Sequence, residues 1–221
     1  MSPRTLQLDD TIHAYLIAHG VREPDAARAL REHTQAHHPR AQMQISPEQG
    51  QLLDFLVRAL GVRRAIEVGT FTGYSALRIA GAMPPDGKLL CCDVSDEYTA
   101  LGRAAWADAG LADRIELVLA PAAETLATQI AAGGAGAWDM VFIDADKSAY
   151  ATYVDQSHTL LKVGGVVAID NVLWSGRVAD PDVHDADTDA LRELNALLAV
   201  DARWDLVMLP IGDGCTLLRK R

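Results

Sequence analysis

Three cysteines in 221 residues leave little room for a disulfide framework, and two of them, Cys91 and Cys92, are neighbours on one apparent strand, where they face opposite ways. Cys215 stands alone, so there is no metal-type thiol spacing, and buried free thiols are expected. Aromatic residues make up only 5% of the chain, and no apolar run approaches the roughly 18 residues of a membrane helix. The N-terminal stretch MSPRTLQLDDTIHAYL has no apolar export core, so the expectation is a cytoplasmic protein without a membrane partner. Positive charge is scarce too: 20 Lys and Arg against 30 Asp and Glu give a net charge of -10. Those charges are mixed along the chain, which argues against a nucleic-acid partner and favours a small neutral or cationic ligand. Repeats of solenoid period are missing, and the one low-complexity tract, AAGGAGA (131–137), reads as a loop.

What is present is a hydrophobic content of 49%, enough for one sizeable core. Apolar or β-branched runs, RAIEVG, KLLCCDV, RIELVLA, WDMVFID and GGVVAID, alternate with segments of helical spacing, SALRIAGAM, DEYTALGRAAWADAG, AAETLATQIAA and YATYVDQSHTLLK. Five such strands with helical segments between them imply an α/β fold with a parallel sheet covered on both faces. Residues 1–60 differ: LDDTIHAYLIAHG and EPDAARALREHTQAH read as helices outside the sheet. A third helix is marked by a Ser46 and Gln49 capping box, Pro47 at its first position and Gly61 after its end. RWDLVMLP and GCTLLRKR, joined by the turn signal IGDG, read as a closing hairpin. One domain results, with helices over 1–60 and a sheet core over 61–221.

Open parallel sheets bind ligands beyond the carboxyl ends of their strands. At the first such end, EVGTFTGYS, Glu67 closes a strand, Gly69 and Gly73 flank a tight turn and Ser75 opens a helix, so a ligand can approach the backbone there. A plain strand-to-helix turn would look the same. The third glycine of the dinucleotide fingerprint is missing, and Glu67 would face a pyrophosphate, which disfavours a nucleotide diphosphate. The second end carries Asp93, about 20 residues on, where an acid receives ribose hydroxyls or, more blandly, caps a helix. At the third, Ala120, Pro121 and Ala122 suit a flat adenine edge or a simple helix start. The fourth and fifth ends, FIDADK and VVAIDNVLW, present Asp144, Asp170 and Asn171 at one rim. Three hard oxygen donors without histidine or thiolate match Mg²⁺, with Mn²⁺ or Ca²⁺ as alternatives. Otherwise Asp170 and Asn171 only turn the chain and Asp144 caps a helix. Lys147, three residues after Asp144, is a candidate general base or a solvated ion-pair partner.

With these motifs the chain resembles the cation-dependent class I O-methyltransferases of the caffeoyl-CoA and catechol type. The resemblance rests on MQISPEQGQLL, IEVGTFTGYSAL, FIDADKSAYATY, LKVGGVVAIDNVLWSG and MLPIGDGCTLLRK, in that order, and covers nearly the whole chain. It implies a Rossmann-like, seven-stranded, mostly parallel sheet with an antiparallel last strand, S-adenosylmethionine as methyl donor, a divalent cation and a homodimer. It further implies that Ile45, Glu67, Gly69, Thr70, Ser75, Asp93, Ala122 and Asp146 contact the cofactor. Asp144, Asp170 and Asn171 would hold the metal, and Lys147 would be the base. The implied acceptor is a small aromatic with two adjacent hydroxyls. This chain departs from the plant caffeoyl-CoA pattern at Ser175, where those enzymes carry an Asn facing the acceptor, so small free acceptors are expected to be tolerated.

Other features read as structure. His37 and His38, before Pro39, suggest a loop rather than a metal pair, and Trp174 either walls the acceptor or packs. Residues 175–189 are long for a connection and read as a lid, an insertion or a solvated loop. Two readings compete with methyl transfer. An NAD-dependent dehydrogenase would share the sheet and Asp93 but leaves the Asp144, Asp170 and Asn171 cluster unexplained. A non-catalytic S-adenosylmethionine-binding protein would have no need of the base and three donors that this chain keeps.

Overall fold

The computed structural model describes residues 5–221, so residues 1–4 of the stretch read for an export signal lie outside it. Three helices come first: α1 (Asp10–Gly20), α2 (Asp25–His37) and α3 (Pro47–Leu60). Asp9 caps α1, its carboxylate accepting the Ile12 N–H at 2.8 Å. Ser46 caps α3 through the Gln49 N–H, Pro47 sits in its first turn, and Gly61 closes it in the left-handed region at φ 63°. Only half of the expected capping box forms, because the Gln49 side chain is buried and turned toward Gly212 instead of back to Ser46. His37 ends α2 as its last helical residue rather than lying in a loop, and His38 caps it.

Five βα units follow: β1 (Arg64–Val68), α4 (Tyr74–Ala82), β2 (Lys88–Asp93), α5 (Asp96–Asp108), β3 (Ile115–Leu119), α6 (Ala122–Ala131), β4 (Trp138–Ile143), α7 (Tyr150–Leu160), β5 (Leu161–Asp170) and α8 (Ala186–Val200). The hairpin of β6 (Trp204–Leu209) and β7 (Cys215–Lys220) closes the chain. The seven strands run in the order β3-β2-β1-β4-β5-β7-β6. Strands β1 to β5 are mutually parallel, and β7 alone is reversed, pairing antiparallel with both β5 and β6. The fold is the expected mostly parallel α/β sheet with helices on both faces.

Period-two alternation divides the core into two layers. Ala65, Cys91, Met140 and Phe142 face one side, under Leu53, Val57 and Ile79 of α3 and α4. Ile66, Cys92, Val141, Ile143 and Val167 face the other, under Leu126, Val154 and Leu191 of α6, α7 and α8. All three cysteines are buried and free. Burying each large aliphatic side chain contributes about 1.5–3 kcal/mol, so these two layers outweigh any single polar contact. The N-terminal helices are tied on by polar groups: the Tyr74 hydroxyl donates to Glu23 at 2.7 Å, and buried Arg78 donates to Gln51 at 3.1 Å.

Helix α8 was not evident in the sequence. Asp185 caps it by accepting the Thr188 N–H and hydroxyl, so the long segment 175–189 is partly its first turn. The remainder is no free loop, since the Arg192 guanidinium donates to the carbonyls of Arg177, Val178, Asp180 and Val183. No described helix is long and apolar enough to cross a membrane.

Strands β1 and β4 lie side by side although their chains lead to opposite halves of the sheet, so the crevice above them is the topological switch point. There Gly69 sits at φ 88°, and a Cβ on it would stand 1.9 Å from the Asp144 carbonyl oxygen. Gly133 has a similar φ of 83° with nothing within 4 Å. Gly133→Ala should therefore cost only the left-handed penalty of about 1–2 kcal/mol. Gly69→Ala should cost clearly more and lower the thermal midpoint further; equal midpoints in a denaturation experiment would contradict the contact.

Candidate active site

The β1–α4 loop is built on the Gly69 contact. The Asp93 carboxylate, from the end of β2, accepts the N–H groups of Thr70 at 2.9 Å and Phe71 at 2.8 Å through one oxygen. Its other oxygen accepts the Ser95 N–H at 2.8 Å. Asp93 thus shapes the loop from behind, both of its oxygens accepting backbone N–H groups, and does not itself line the narrow cleft beside it. That cleft is lined by Ile45, Gly69, Thr70, Ser75 and Asp144, together with Phe71. Five of the sequence-predicted residues meet there. Ala122 and Asp146 do not line it: Ala122 begins α6, and Asp146, on the β4–α7 loop, accepts the Tyr153 hydroxyl at 2.6 Å.

Glu67 lies under this loop with 0% exposure. One carboxylate oxygen accepts the Cys91 thiol at 3.3 Å, while the other has no hydrogen-bond partner, and neither does the buried Thr70 hydroxyl. Burial raises the Glu67 pKa from 4.5 to about 7, and the nearby polar groups of Ser75, Cys91 and Thr70, in that order, offset only part of that. Unpaired buried acceptors beside a glycine cradle fit a ligand that brings polar hydrogens into the cleft.

Across the crevice the ends of β4 and β5 bring together every residue proposed for metal and base. The Lys147 ammonium, 8% exposed, donates to Asp144 Oδ1 at 3.2 Å, Asn171 Oδ1 at 2.6 Å and the Tyr150 hydroxyl at 2.6 Å. Asp170, 3% exposed, accepts the Asn171 N–H at 2.6 Å. Burial raises the pKa of both carboxylates; for Asp170 the neighbouring Asp144 charge adds to the rise, and for Asp144 the Lys147 ammonium opposes it. Asn171 adopts φ 59°, in the left-handed region that asparagine tolerates better than most residues. Among the described residues no three His, Cys, Asp or Glu side chains gather as a metal cluster. Here two carboxylates and an amide oxygen converge instead. That hard donor set, with a buried excess of negative charge, fits a divalent cation of the Mg²⁺ class.

Sequence reasoning passed over Tyr150 and Tyr153, whose hydroxyls bond Lys147 and Asp146. The i, i+3 spacing of Lys147 and Tyr150 carried a usable signal, because the pair shares one face of the turn that leads into α7. His37 takes no part in the site and stacks on His33, and His38 packs edge-on against Phe71 and Tyr98.

A fold of this topology, with a glycine turn and two acidic strand ends at its switch point, defines a class I methyltransferase architecture, and comparison with known proteins takes it further. The pattern of the family described as O-methyltransferase matches residues 18–221. The probable caffeoyl-CoA O-methyltransferase 1 of Dictyostelium discoideum is 39% identical over 216 residues, covering 97% of this chain and 94% of that protein. The catechol O-methyltransferase domain-containing protein 1 of Mus musculus is 39% identical over 212 residues, covering 96% and 80%. Among solved structures, a Podospora anserina methyltransferase bound to S-adenosylhomocysteine superposes with a TM-score of 0.88 at 29% identity, each chain covered completely. TomG of Streptomyces achromogenes, an O-methyltransferase in complex with S-adenosylmethionine, gives 0.85 at 31% identity, covering 95% and 96%. The chain belongs to the O-methyltransferase family and is a methyltransferase, which sets aside the dehydrogenase reading.

The state of Glu67 gives a pH prediction for the ligand-free protein. Between pH 4.5 and about 7 the folded chain retains a proton on Glu67 that the unfolded chain has lost. Stability should therefore fall as pH rises through that window, by up to about 3 kcal/mol from this group. Asp144 and Asp170 have the same sign, so the difference between the wild type and Glu67→Gln isolates Glu67. Denaturant unfolding from pH 4.5 to 8 should show a flatter profile for Glu67→Gln; parallel profiles would contradict the assignment.

Proposed function

We propose that this enzyme transfers the methyl group of S-adenosylmethionine to one hydroxyl of a small vicinal-dihydroxy aromatic, a catechol, caffeoyl or flavonoid type of acceptor, with a divalent cation. The observation that carries the reading is the convergence of Asp144, Asp170, Asn171 and the buried Lys147 ammonium at one rim, facing the glycine cradle across the switch point. The caffeoyl-CoA and catechol names of the relatives support the acceptor class.

In this reading Ile45, Glu67, Gly69, Thr70, Ser75, Ala122 and Asp146 would hold the donor, and Asp93 would receive its ribose hydroxyls. S-adenosylmethionine supplies a methyl carried on a sulfonium, which makes the carbon electrophilic without a covalent enzyme intermediate. Asp144, Asp170 and Asn171 would hold the cation, whose chemistry when bound would be that of a Lewis acid lowering the pKa of an acceptor hydroxyl. Lys147, placed between Asp144, Asn171 and Tyr150, would act as the base in its neutral amine form, its nitrogen lone pair accepting the proton from that hydroxyl and becoming the ammonium seen donating to these groups. Trp174, whose ring lies 5.5 Å from the Lys147 nitrogen, walls the acceptor side and keeps water out. Most of the remaining acceleration comes from holding oxygen, carbon and sulfur in line.

The decisive experiment is an acceptor panel with labelled S-adenosylmethionine, run with Mg²⁺ and with chelator. Turnover should vanish in chelator, and a catechol should react far faster than the matching monophenol, because only two adjacent oxygens can chelate. Comparable rates on the two, or full activity in chelator, would overturn the cation reading. On the donor side, Asp93→Ala should raise the S-adenosylhomocysteine dissociation constant tenfold or more, as loss of a charge-assisted hydrogen bond of about 1.5–3 kcal/mol requires. Calorimetry giving an unchanged constant would remove Asp93 from the donor pocket.

A further inference from the structure

The turn after the β5 end is held in an unusual backbone. Trp174 at φ 47° and Ser175 at φ 53° are consecutive non-glycine residues in the left-handed region, followed by Gly176 at φ 81°, and Asn171 at φ 59° lies just before them. Such a run persists only where surrounding contacts over-determine it. Those contacts come from the tip of the β6–β7 hairpin. Asp213 Oδ1 accepts the Ser175 N–H at 2.5 Å, its own carbonyl accepts the Leu173 N–H at 3.0 Å, and the Gly214 carbonyl accepts the Val172 N–H at 3.2 Å. The fit is close, since a Cβ on Gly214 would lie 2.5 Å from the Leu173 side chain. The turn so held carries the Trp174 ring toward Lys147, and the Trp174 indole N–H is buried without a partner, leaving a donor for a bound molecule.

We infer that Asp213 is a positioning residue for the acceptor, acting through the backbone of Trp174 and Ser175 rather than by touching the substrate. The inference rests on the proposed acceptor side of the site. Asp213 is remote in sequence, 38 residues from Ser175, and its carboxylate takes the one N–H that fixes the second left-handed residue. Without it the turn relaxes toward ordinary backbone, and Trp174 leaves its place opposite Lys147. The donor half, built on β1 and β2, shares none of these contacts.

The test compares Asp213→Ala, Asp213→Asn and the double variant Asp213→Ala with Ser175→Gly. Asp213→Ala should raise the KM for a catechol acceptor by about tenfold, with kcat changed much less and the S-adenosylhomocysteine dissociation constant unchanged. Asp213→Asn keeps an oxygen acceptor and should restore most of the loss. Ser175→Gly adopts a positive φ without strain and should also rescue. Failure of both rescues would mean that the Asp213 charge itself meets the acceptor, and the inference would be wrong. Should Asp213→Ala not fold, the double variant carries the comparison: a near-normal KM supports the clamp, a raised one overturns it. Hydrogen exchange at the Ser175 amide needs no acceptor. Protection lost in Asp213→Ala and kept in Asp213→Asn supports the clamp even if no catechol is turned over, and unchanged protection in Asp213→Ala refutes it.

Discussion

The contact between the Gly69 backbone and the Asp144 carbonyl is the constraint on which the rest of the site depends. Strands β1 and β4 lead their chains to opposite halves of the sheet, and the crevice between them exists only because the two strand ends meet without a side chain intervening. From Gly69 the chain turns into α4, which leaves Thr70 and Phe71 with N–H groups aimed at Asp93. From Asp144 it turns into the segment that carries Asp146, Lys147 and Tyr150. The glycine loop and the segment of Asp144, Lys147 and Tyr150 are therefore joined by backbone, the Asp144 N–H also donating to the Val68 carbonyl at 2.8 Å.

A second constraint is electrostatic. Glu67, Asp144 and Asp170 are carboxylates withdrawn from water, a costly arrangement in a chain that is already acidic, and each has a distinct remedy. Glu67 keeps its proton into the neutral range. Asp144 has the Lys147 ammonium at 3.2 Å, and Asp170 has the Asn171 N–H at 2.6 Å. Stability alone would not collect three such groups within one sheet rim; the desolvation they carry is the kind a functional site tolerates.

Much of this was legible in the sequence because the signals are local. Alternating β-branched runs gave the strands, Ser46, Pro47 and Gly61 bounded α3, and acidic residues at strand ends marked the rim. Misses arose where the cause lies far along the chain. Gln49 satisfies the spacing of a capping box, yet tertiary packing beside Gly212 takes its side chain elsewhere. Helix α8 hid behind an acidic, proline-containing segment whose order comes from Arg192, a residue inside the helix itself. The left-handed turn at Trp174 and Ser175 has no glycine or asparagine at those two positions to announce it.

The reversal of β7 bears on how such a scaffold can diversify. In an unbroken parallel sheet the link from one strand to the next is a helical crossover that returns to the opposite rim. Because β7 runs against its neighbours, the β6–β7 link is a five-residue tip at the same rim as Asp170, with no helix behind it. Its composition is tied to the turn it grips, since Asp213 and Gly214 bond the backbone of Val172, Leu173 and Ser175 and a Cβ on Gly214 would meet the Leu173 side chain at 2.5 Å. A change at that tip would therefore be felt first at the turn of Trp174 and Ser175, on the β5 side of the rim, and not at the Gly69 and Asp93 loop on the β1 and β2 side.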